Sequence, residues 1–160
     1  MPITLEPIGI VHSPYTDTAG MPIQGVFKPG IEACLEVYEA YREGLADLDG
    51  FSHAILIYRF HRAARTCLRT QPFLEDVEHG VFATRSPNRP NHLGLSIIRI
   101  LAVADGRVRF TDVDVLDETP VLDITPYVKH FDHRDGTRHG WIDKHFRDGP
   151  PSRTVIEQAG

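Results

Sequence analysis

The chain lacks the features that mark several large classes of protein. Its 160 residues include two cysteines, Cys34 and Cys67, and neither belongs to a Cys-x-x-Cys pair, so the sequence predicts neither a zinc ribbon nor a thioredoxin-like motif. Two unpatterned cysteines fit a reducing compartment. No basic segment followed by an apolar run opens the chain, and no apolar stretch approaches the ~20 residues of a membrane span. We therefore expect a cytoplasmic protein without a membrane partner.

An excess of positive charge is also absent. Lys and Arg number 17 against 22 Asp and Glu, a net charge of −5. Proteins that bind nucleic acid usually carry a basic face, so the overall balance argues mildly against tight nucleic-acid binding by a lone subunit. A local basic patch remains sufficient, because electrostatic steering depends on where the charges lie.

No strand-like segment is followed by Gly-x-Gly-x-x-Gly, so a Rossmann cofactor site has no support. Strand signals dominate instead. The first apolar segment carries Ile8 and Ile10 and ends at His12, and Ile97–Val103 is rich in β-branched residues. The continuously apolar run Ala54–Tyr58 predicts a strand buried on both faces. Short strands separated by Gly and Pro predict a mainly β fold, a small barrel with few short helices, in which loops would hold any cofactor.

Two further patterns complete the predicted architecture. Between Arg107 and Asp117 the apolar residues change from even to odd positions, which requires a bulge or a break near Thr111-Asp112. Apolar spacings of three and four predict a short helix at Tyr38–Leu48, and we expect a second short helix at Trp141–Phe146. The Gly- and Pro-rich residues that follow predict a C-terminal tail. We expect one domain over residues 1–147 and a tail over 148–160.

The densest polar segment is GVFATRSPNRPNHLGLS, residues 80–96. It begins with Val81–Ala83, which predicts a short strand. Residues 85–91 then contain two arginines, two asparagines and two prolines. Prolines restrict the backbone before binding, arginine offers forked donors to carboxylates or phosphates, and asparagine both donates and accepts. The pattern favours a rigid ligand-binding loop, with a capped surface turn as the alternative.

A second polar segment, DVLDETPVLDITPY, spans residues 114–127. It places acidic side chains and two prolines beside a predicted strand. Carboxylates there are suited to accept hydroxyl groups of a ribose or to attract a positively charged sulfonium. They are equally suited to cap turns, and the residues alone leave both interpretations open.

Taken together, these blocks resemble the TrmO (TsaA-like) family of S-adenosylmethionine-dependent tRNA methyltransferases. GVFATRS followed by RPNHLG is similar to the family's signature, and DETPVLDITPY is similar to its second block. The segments IGIVHSPY and FSHAILIYRFH also resemble family blocks. The similarity runs in consistent order from Ile8 to Tyr127, which makes it far more specific than any single motif.

The resemblance implies a β-barrel methyltransferase unrelated to the Rossmann type, with S-adenosylmethionine as cofactor. It implies a homodimer with the cofactor near the subunit interface. It also implies tRNA as partner, in which N6 of threonylcarbamoyladenosine beside the anticodon is methylated. None of these properties follows from composition or periodicity.

Site residues are implied where this chain matches the family's pattern. The residues expected to bind the cofactor are Gln24, Phe82, Arg85, Ser86, Asn91, Gly94, Asp117, Thr119 and Pro120. Phe82 is expected beside the adenine ring. Three side chains carry oxygens that can accept hydrogens of an acceptor amine, and these catalytic candidates are Asn91, Asp117 and Asp123.

Departures from the pattern define the alternatives. His92 stands where the family usually has proline, and Thr125 stands where many members have lysine. With the acidic net charge, they keep open a small-molecule methyltransferase or a non-catalytic S-adenosylmethionine-binding protein of the same fold. A metal-dependent enzyme is a further alternative, and the side chains that suggest it are His130, Asp132, His133, Asp135, His139 and His145. They lack His-Glu-x-x-His spacing, so we expect no metal site.

Overall fold

Short segments with alternating apolar residues form the strands of the computed structural model, which describes residues 1–152 and 157–158. The strands are β1 (Gly9–His12), β2 (Ala33–Val37), β3 (His53–Arg59), β4 (Arg69–Thr70), β5 (His79–Gly80), β6 (Leu93–Ala104), β7 (Arg107–Thr111) and β8 (Pro120–Pro126). Six of them close a barrel in the order β1-β2-β7-β6-β3-β8. Every pair is antiparallel, and β4 pairs with β5 outside the barrel. The predicted small β-barrel is confirmed.

Helices are few and short. The 3-10 helices are Gly25–Phe27, Glu39–Leu45, Leu48–Gly50, Val81–Ala83 and Gly140–His145, and one α-helix covers Lys129–Asp132. The predicted helix over Tyr38–Leu48 divides in two, because Asp47 takes a left-handed conformation with φ 67°. Among the described residues, no helix has the length and apolar character needed to cross a membrane.

The barrel interior is filled by the inward side chains of all six strands. Its fully buried members include Val11, Leu35, Leu56, Ile98, Val108, Phe110 and Val121. The expectation that the run Ala54–Tyr58 is buried on both faces is wrong. Ala54, Leu56 and Tyr58 are buried, but Ile55 and Ile57 point outward and are half-exposed, because the wall of a barrel is a single layer.

Two local predictions have opposite outcomes. The period switch after Arg107 corresponds to a break, since β7 ends at Thr111 and Asp112 has φ 65°. The predicted strand over Val81–Ala83 is wrong. The Thr84 amide and the Thr84 hydroxyl both donate to the Val81 carbonyl, at 3.1 and 2.8 Å, which closes a 3-10 turn in place of a strand.

Antiparallel pairing gathers three of the barrel connections at one end. There β1, β3 and β7 end and β2, β6 and β8 begin, so residues 13–32, 60–92 and 112–119 all emerge together. We call this the loop end and the opposite one the closed end. Every predicted site residue lies at the loop end except Asp123, which lies within β8.

Part of the predicted tail returns to the loop end. Glu157 forms an antiparallel bridge with Pro22, and Gln158 exchanges backbone hydrogen bonds with Gly20 and Met21 at 2.9 and 2.8 Å. The tail residues 153–156 and 159–160 lie outside the described residues. The division at residue 147 stays a prediction.

Candidate functional site

Residues 80–96, the signature loop, are held by backbone hydrogen bonds to the segment that follows β3. The amides of Phe60, Cys67 and Val81 donate to the carbonyls of His92, Asn88 and Leu68, at 2.8, 2.8 and 2.9 Å respectively. Within the loop, the Arg89 guanidinium donates to the Thr84 carbonyl at 2.8 Å. These bonds and the prolines restrain the backbone on both sides of Arg85.

Arg85 meets Gln24 across the loop end. Arg85 Nη1 donates to Gln24 Oε1 at 2.8 Å, while Gln24 Nε2 donates to the Ile23 carbonyl at 2.7 Å. The amide of Gln24 is thereby oriented with its oxygen toward the guanidinium. Arg85 is exposed, so the structure brings together two predicted residues that are 61 positions apart and leaves the guanidinium accessible to a ligand.

A half-buried carboxylate, Asp114, adjoins this pair through Gly25. Asp114 Oδ1 accepts from the Ser96 hydroxyl at 2.5 Å, and Oδ2 accepts from the Gly25 amide at 3.0 Å. Burial raises the pKa of Asp114, against the opposing effect of these hydrogen bonds and of the Arg85 charge. A Cβ at Gly25 would collide with the backbone of Asp112, so only glycine permits this approach.

Tyr58 extends the polar group into the barrel. Its hydroxyl lies 2.9 Å from Ser96 Oγ, and burial raises the pKa of the phenol above its usual range. The Tyr58 ring covers Gly94, where a Cβ would overlap the ring carbons. The structure therefore shows a packing role for Gly94, and a cofactor contact there stays a prediction.

The second polar segment forms its own cluster at the loop end. Asp117 Oδ1 accepts from the Ser13 amide at 3.0 Å, and the Asp117 amide donates to the Tyr15 carbonyl at 2.7 Å. Thr119 is buried, with its hydroxyl donating to the Leu116 carbonyl at 2.7 Å. Pro120 opens β8 opposite Ile10. Asp117 does restrain a turn, and it also borders an open groove of about 940 Å³.

The segment after β3 connects the two clusters. The rings of Phe60 and Tyr58 meet edge to face at 5.3 Å, and Arg62 Nη1 donates to the Thr16 carbonyl at 2.5 Å. The pKa of His61 is lowered overall. Burial and the Arg62 charge lower it, and the charges of Glu118 and Asp117 oppose them in part. His61 therefore lies within electrostatic range of the Asp117 cluster.

The other predicted site residues are dispersed. Phe82 is 76% exposed, and Asn91 is an exposed residue of the Arg89–His92 turn. The Ser86 hydroxyl accepts from the Asn88 amide at 3.3 Å. Asp123 is exposed on β8 and accepts from its neighbour's amide at 2.8 Å. A register shift beside Ile57 points Asp123 away from the barrel interior.

Several of these site residues were not predicted from the sequence, namely Tyr58, His61, Arg62, Ser96 and Asp114. Asp114 carries no local signal, because it alternates with the buried Val113 and Val115, and a charge is ordinary at such a position. Ser96 does carry one, because it is a polar residue at an inward position of β6 between Gly94 and Ile98. The partners of both depend on strand register.

The loop end offers a particular set of ligand-binding groups. Among the described residues, Tyr15 Oη is the one buried side-chain nitrogen or oxygen without a hydrogen-bond partner, and the Tyr15 backbone holds Asp117. Forked cationic donors at Arg85, a carboxylate at Asp117 and an exposed ring at Phe82 suit a ligand that combines an aromatic ring, hydroxyl groups and charged ends. Within residues 1–152 and 157–158, no cluster of three metal-ligating side chains is arranged to hold an ion.

Known proteins resemble this chain in sequence over most of its length. The family model of the tRNA-methyltransferase O N-terminal domain matches residues 10–133. A probable S-adenosyl-L-methionine-binding protein of Pyrococcus abyssi is 47% identical over 142 residues, which cover 89% of this chain and 77% of that protein. The tRNA (adenine(37)-N6)-methyltransferase of Mus musculus is 35% identical over 134 residues, which cover 79% of this chain and 31% of the mouse protein.

A solved structure shares the fold. The crystal structure of TrmO from Pseudomonas aeruginosa matches with a TM-score of 0.75 and 34% identity, over 88% of this chain and 63% of that one. The chain thus spans most of the Pyrococcus protein, less than two thirds of the crystallised protein and about a third of the mouse protein.

Proposed function

The chain belongs to the family of tRNA-methyltransferase O N-terminal domains, and from this premise we propose that it methylates N6 of threonylcarbamoyladenosine beside the tRNA anticodon. In this proposal the chain acts as a methyltransferase, with S-adenosylmethionine as the methyl donor. The observation that carries the proposal is the contact of Arg85 with Gln24 at 2.8 Å, because it joins two matching loops of the family pattern at one accessible point. The name of the mouse relative supports the tRNA acceptor.

The loop end fits the cofactor by its chemistry. S-adenosylmethionine supplies a methyl group that its sulfonium has already activated. Arg85, held by Gln24, presents forked donors suited to a carboxylate, and the accessible ring of Phe82 suits stacking on adenine. Asp117 attracts positive charge or accepts hydroxyl groups. Tyr15, whose backbone holds Asp117, has a buried Oη without a hydrogen-bond partner. A bound ligand, or a water molecule bound with it, would supply that hydrogen bond.

The chain's main contribution to methyl transfer is alignment, because the donor is already activated. The acceptor amine needs hydrogen-bond acceptors for its hydrogens and a route for the proton that leaves after transfer. Asp117 and Asn91 lie at the loop end and provide such oxygens. Asp123 faces outward on β8, so its position suits a contribution across a subunit interface.

The barrel wall supports the homodimer that the family resemblance implies. Leu95, Ile97 and Leu101 on the outer face of β6 are 41–45% exposed, and the half-exposed Ile55 and Ile57 lie on the adjacent strand β3. Contiguous exposed apolar side chains of this kind mark interaction sites. The sequence pattern alone marks no interface stripe. We propose that a second copy of the chain covers this face.

Light scattering tests the dimer directly. Ile97→Glu introduces a charge at the centre of the stripe and is expected to give a monomer that retains the fold. Ala40→Glu introduces the same charge at an exposed position of the 3-10 helix Glu39–Leu45, outside β3 and β6. It is the matched control and should leave the mass unchanged. A wild-type monomer at micromolar concentration contradicts the proposal.

A second function is favoured by one observation. The Pyrococcus relative, at 47% identity, is named only as a probable S-adenosyl-L-methionine-binding protein, which supports cofactor binding without transfer as an alternative to methylation. Methyl-transfer assays on total tRNA, with mass spectrometry of the nucleosides, separate the two. Methylated threonylcarbamoyladenosine supports the proposal. Cofactor binding without transfer to tRNA contradicts it and leaves either a binding protein or an enzyme with a small-molecule acceptor.

A further inference from the structure

The segment beyond the family match contacts the signature loop next to Arg85. Trp141, in the 3-10 helix Gly140–His145, donates from Nε1 to the Ala83 carbonyl at 2.8 Å. Its indole stacks on the His79 ring at 5.0 Å with an interplanar angle of 13°. Ala83 ends the 3-10 turn that leads into Arg85. The indole N–H therefore fixes the backbone two residues before the guanidinium.

A buried carboxylate anchors this contact. The Glu75 side chain is 1% exposed. Its Oε1 accepts from Lys144 Nζ at 2.7 Å and from His145 Nε2 at 2.6 Å, and its Oε2 accepts from His79 Nε2 at 2.7 Å. We call these residues and Trp141 the Glu75 clamp. A buried carboxylate is costly unless it is fully paired, so the three partners make the clamp a specific contact.

The charge state of the clamp follows from its partners. Lys144, then His79 and His145, lower the pKa of Glu75 to about 2. An ionised carboxylate only accepts hydrogen bonds, so the Nε2 atom of each histidine carries the hydrogen. Both rings also contact Trp141, since His145 meets it edge to face at 6.2 Å. The carboxylate thus orients the histidines that hold the indole.

The same segment reaches the loop that carries Gln24. Phe146 stacks on Phe27 with ring centroids 5.8 Å apart, and Phe27 lies in the turn that follows Gln24. Arg85 and Gln24 approach each other from two loops, and the C-terminal segment binds both. Its removal would free each partner of the Arg85–Gln24 contact.

We propose that the Glu75 clamp is a positioning device for the cofactor site, with Glu75 and Trp141 setting Arg85 against Gln24 through the Ala83 carbonyl. Both act through the backbone of the signature loop, and neither is assigned a contact with the ligand. The inference rests on the proposed function only for its cofactor-binding consequence. The restraint on the turn before Arg85 stands on the geometry alone.

Two variants and one control test the clamp. Glu75→Gln removes the charge and keeps the shape, whereas Trp141→Phe deletes the N–H and keeps a ring against His79. Glu78→Gln is the matched control, because Glu78 lies on the same segment but its side chain is 61% exposed. Trp141 is the single tryptophan, so its fluorescence reports on the clamp without a label. Each protein is measured for thermal melting, amide hydrogen exchange over residues 81–86 and calorimetric affinity for S-adenosylhomocysteine.

In Glu75→Gln we expect red-shifted Trp141 emission with stronger acrylamide quenching. Both clamp variants should exchange faster over residues 81–86 and bind S-adenosylhomocysteine about tenfold more weakly. A merely structural clamp would lower the melting temperature without changing affinity in the folded protein. Glu78→Gln should match wild type throughout.

Wild-type exchange over residues 81–86 in folded Trp141→Phe overturns the proposal, and so does faster exchange with unchanged affinity. If Glu75→Gln fails to fold, Trp141→Phe decides alone, because it removes a single hydrogen bond. If wild type binds no S-adenosylhomocysteine, the proposed function fails, and hydrogen exchange still decides whether the clamp holds the turn.

Discussion

The two ends of the barrel are built from the same strands and differ in what they bury. At the closed end, Asp105 and Gly106 form the tight β6–β7 turn with φ 53° and 74°, which matches the twist of a hairpin. Leu45 and Leu48 are buried there by short 3-10 helices. At the loop end, the strands instead deliver hydroxyl, phenol and carboxylate groups to long connections.

This difference separates stability from function. The closed end consists of the β6–β7 turn, short 3-10 helices and apolar contacts, which stabilise the barrel. The loop end holds the half-buried Asp114, whose pKa is raised by desolvation and lowered in part by the charge of the exposed Arg85. Buried polar groups stabilise little unless they are fully paired. Their concentration at one end therefore indicates that this end positions a ligand.

The largest expected effect comes from disrupting the loop end at Arg85. Arg85→Ala removes the guanidinium, and Arg85→Lys keeps the charge but loses the planar fork. Both variants should melt like wild type and lose about 100-fold in kcat/KM for methyl transfer, roughly 3 kcal/mol. Arg134→Ala, which removes an exposed arginine outside the barrel strands, is the control and should retain activity. A lower melting temperature with normal specific activity would instead make Arg85 a structural residue.

Leu48→Ala disrupts the closed end and should show the reverse pattern. Leu48 is 7% exposed, and truncation leaves a cavity that costs about 2 kcal/mol of unfolding free energy. Denaturant unfolding measures the loss. Specific activity of the folded fraction should equal that of wild type. If Leu48→Ala has lower specific activity under conditions where all of the protein is folded, the two ends are coupled.

Acid titration sharpens the comparison at Glu75. The folded pKa of about 2 lies below the usual 4.5, so Glu75 stabilises the fold above pH 4.5 and this contribution disappears as the pH falls toward 2. The melting temperatures of wild type and Glu75→Gln should differ at neutral pH and converge over that window, as Lys144, His79 and His145 lose their carboxylate partner. A difference that is independent of pH contradicts the ionic account.

The smallest expected effect is that of Asp114→Asn. Asparagine keeps one acceptor oxygen for the Gly25 amide, so the Ser96 contact survives only if the amide nitrogen donates to Ser96 Oγ and the Ser96 hydroxyl turns toward Tyr58. We expect this rearrangement to cost about 1 kcal/mol. Burial raises the folded pKa of Asp114 above the usual 3.8, so wild type gains stability as the pH falls through the raised folded pKa toward 3.8, and it loses that gain on returning to neutral pH. Asp114→Asn should lack this gain. Parallel stability curves for the two proteins from pH 7 to pH 3 would contradict the assignment.

The fold was largely predictable from local patterns, since strand periodicity and turn residues act over short range. The break at Thr111-Asp112 was predicted from the change of period alone. The outer face of β3 was not, because a continuous apolar run looks the same whether a second layer or a partner covers it. Residues 81–83 were wrongly predicted to form a strand. The hydrogen bonds from Thr84 that close the 3-10 turn cannot be recognised in a short apolar sequence.

The site was predictable only where the family pattern names its residues. Arg85 and Gln24 were each predicted, but their contact depends on how two loops meet. Asp114 acquires its role from the register of β6 and from the approach of Gly25. Glu75 was missed because its partner His145 lies 70 residues away. Long-range contacts of this kind carry no local sequence signal.

The most direct test of the central claim, that the loop end binds the methyl donor through Arg85, is calorimetric titration of wild type and Arg85→Ala with S-adenosylhomocysteine. Thermal melting of the same samples establishes that both are folded. The account predicts saturable binding by wild type and binding at least about tenfold weaker by Arg85→Ala, at equal melting temperature. Absence of binding by folded wild type, or equal affinity in the two proteins, would contradict it.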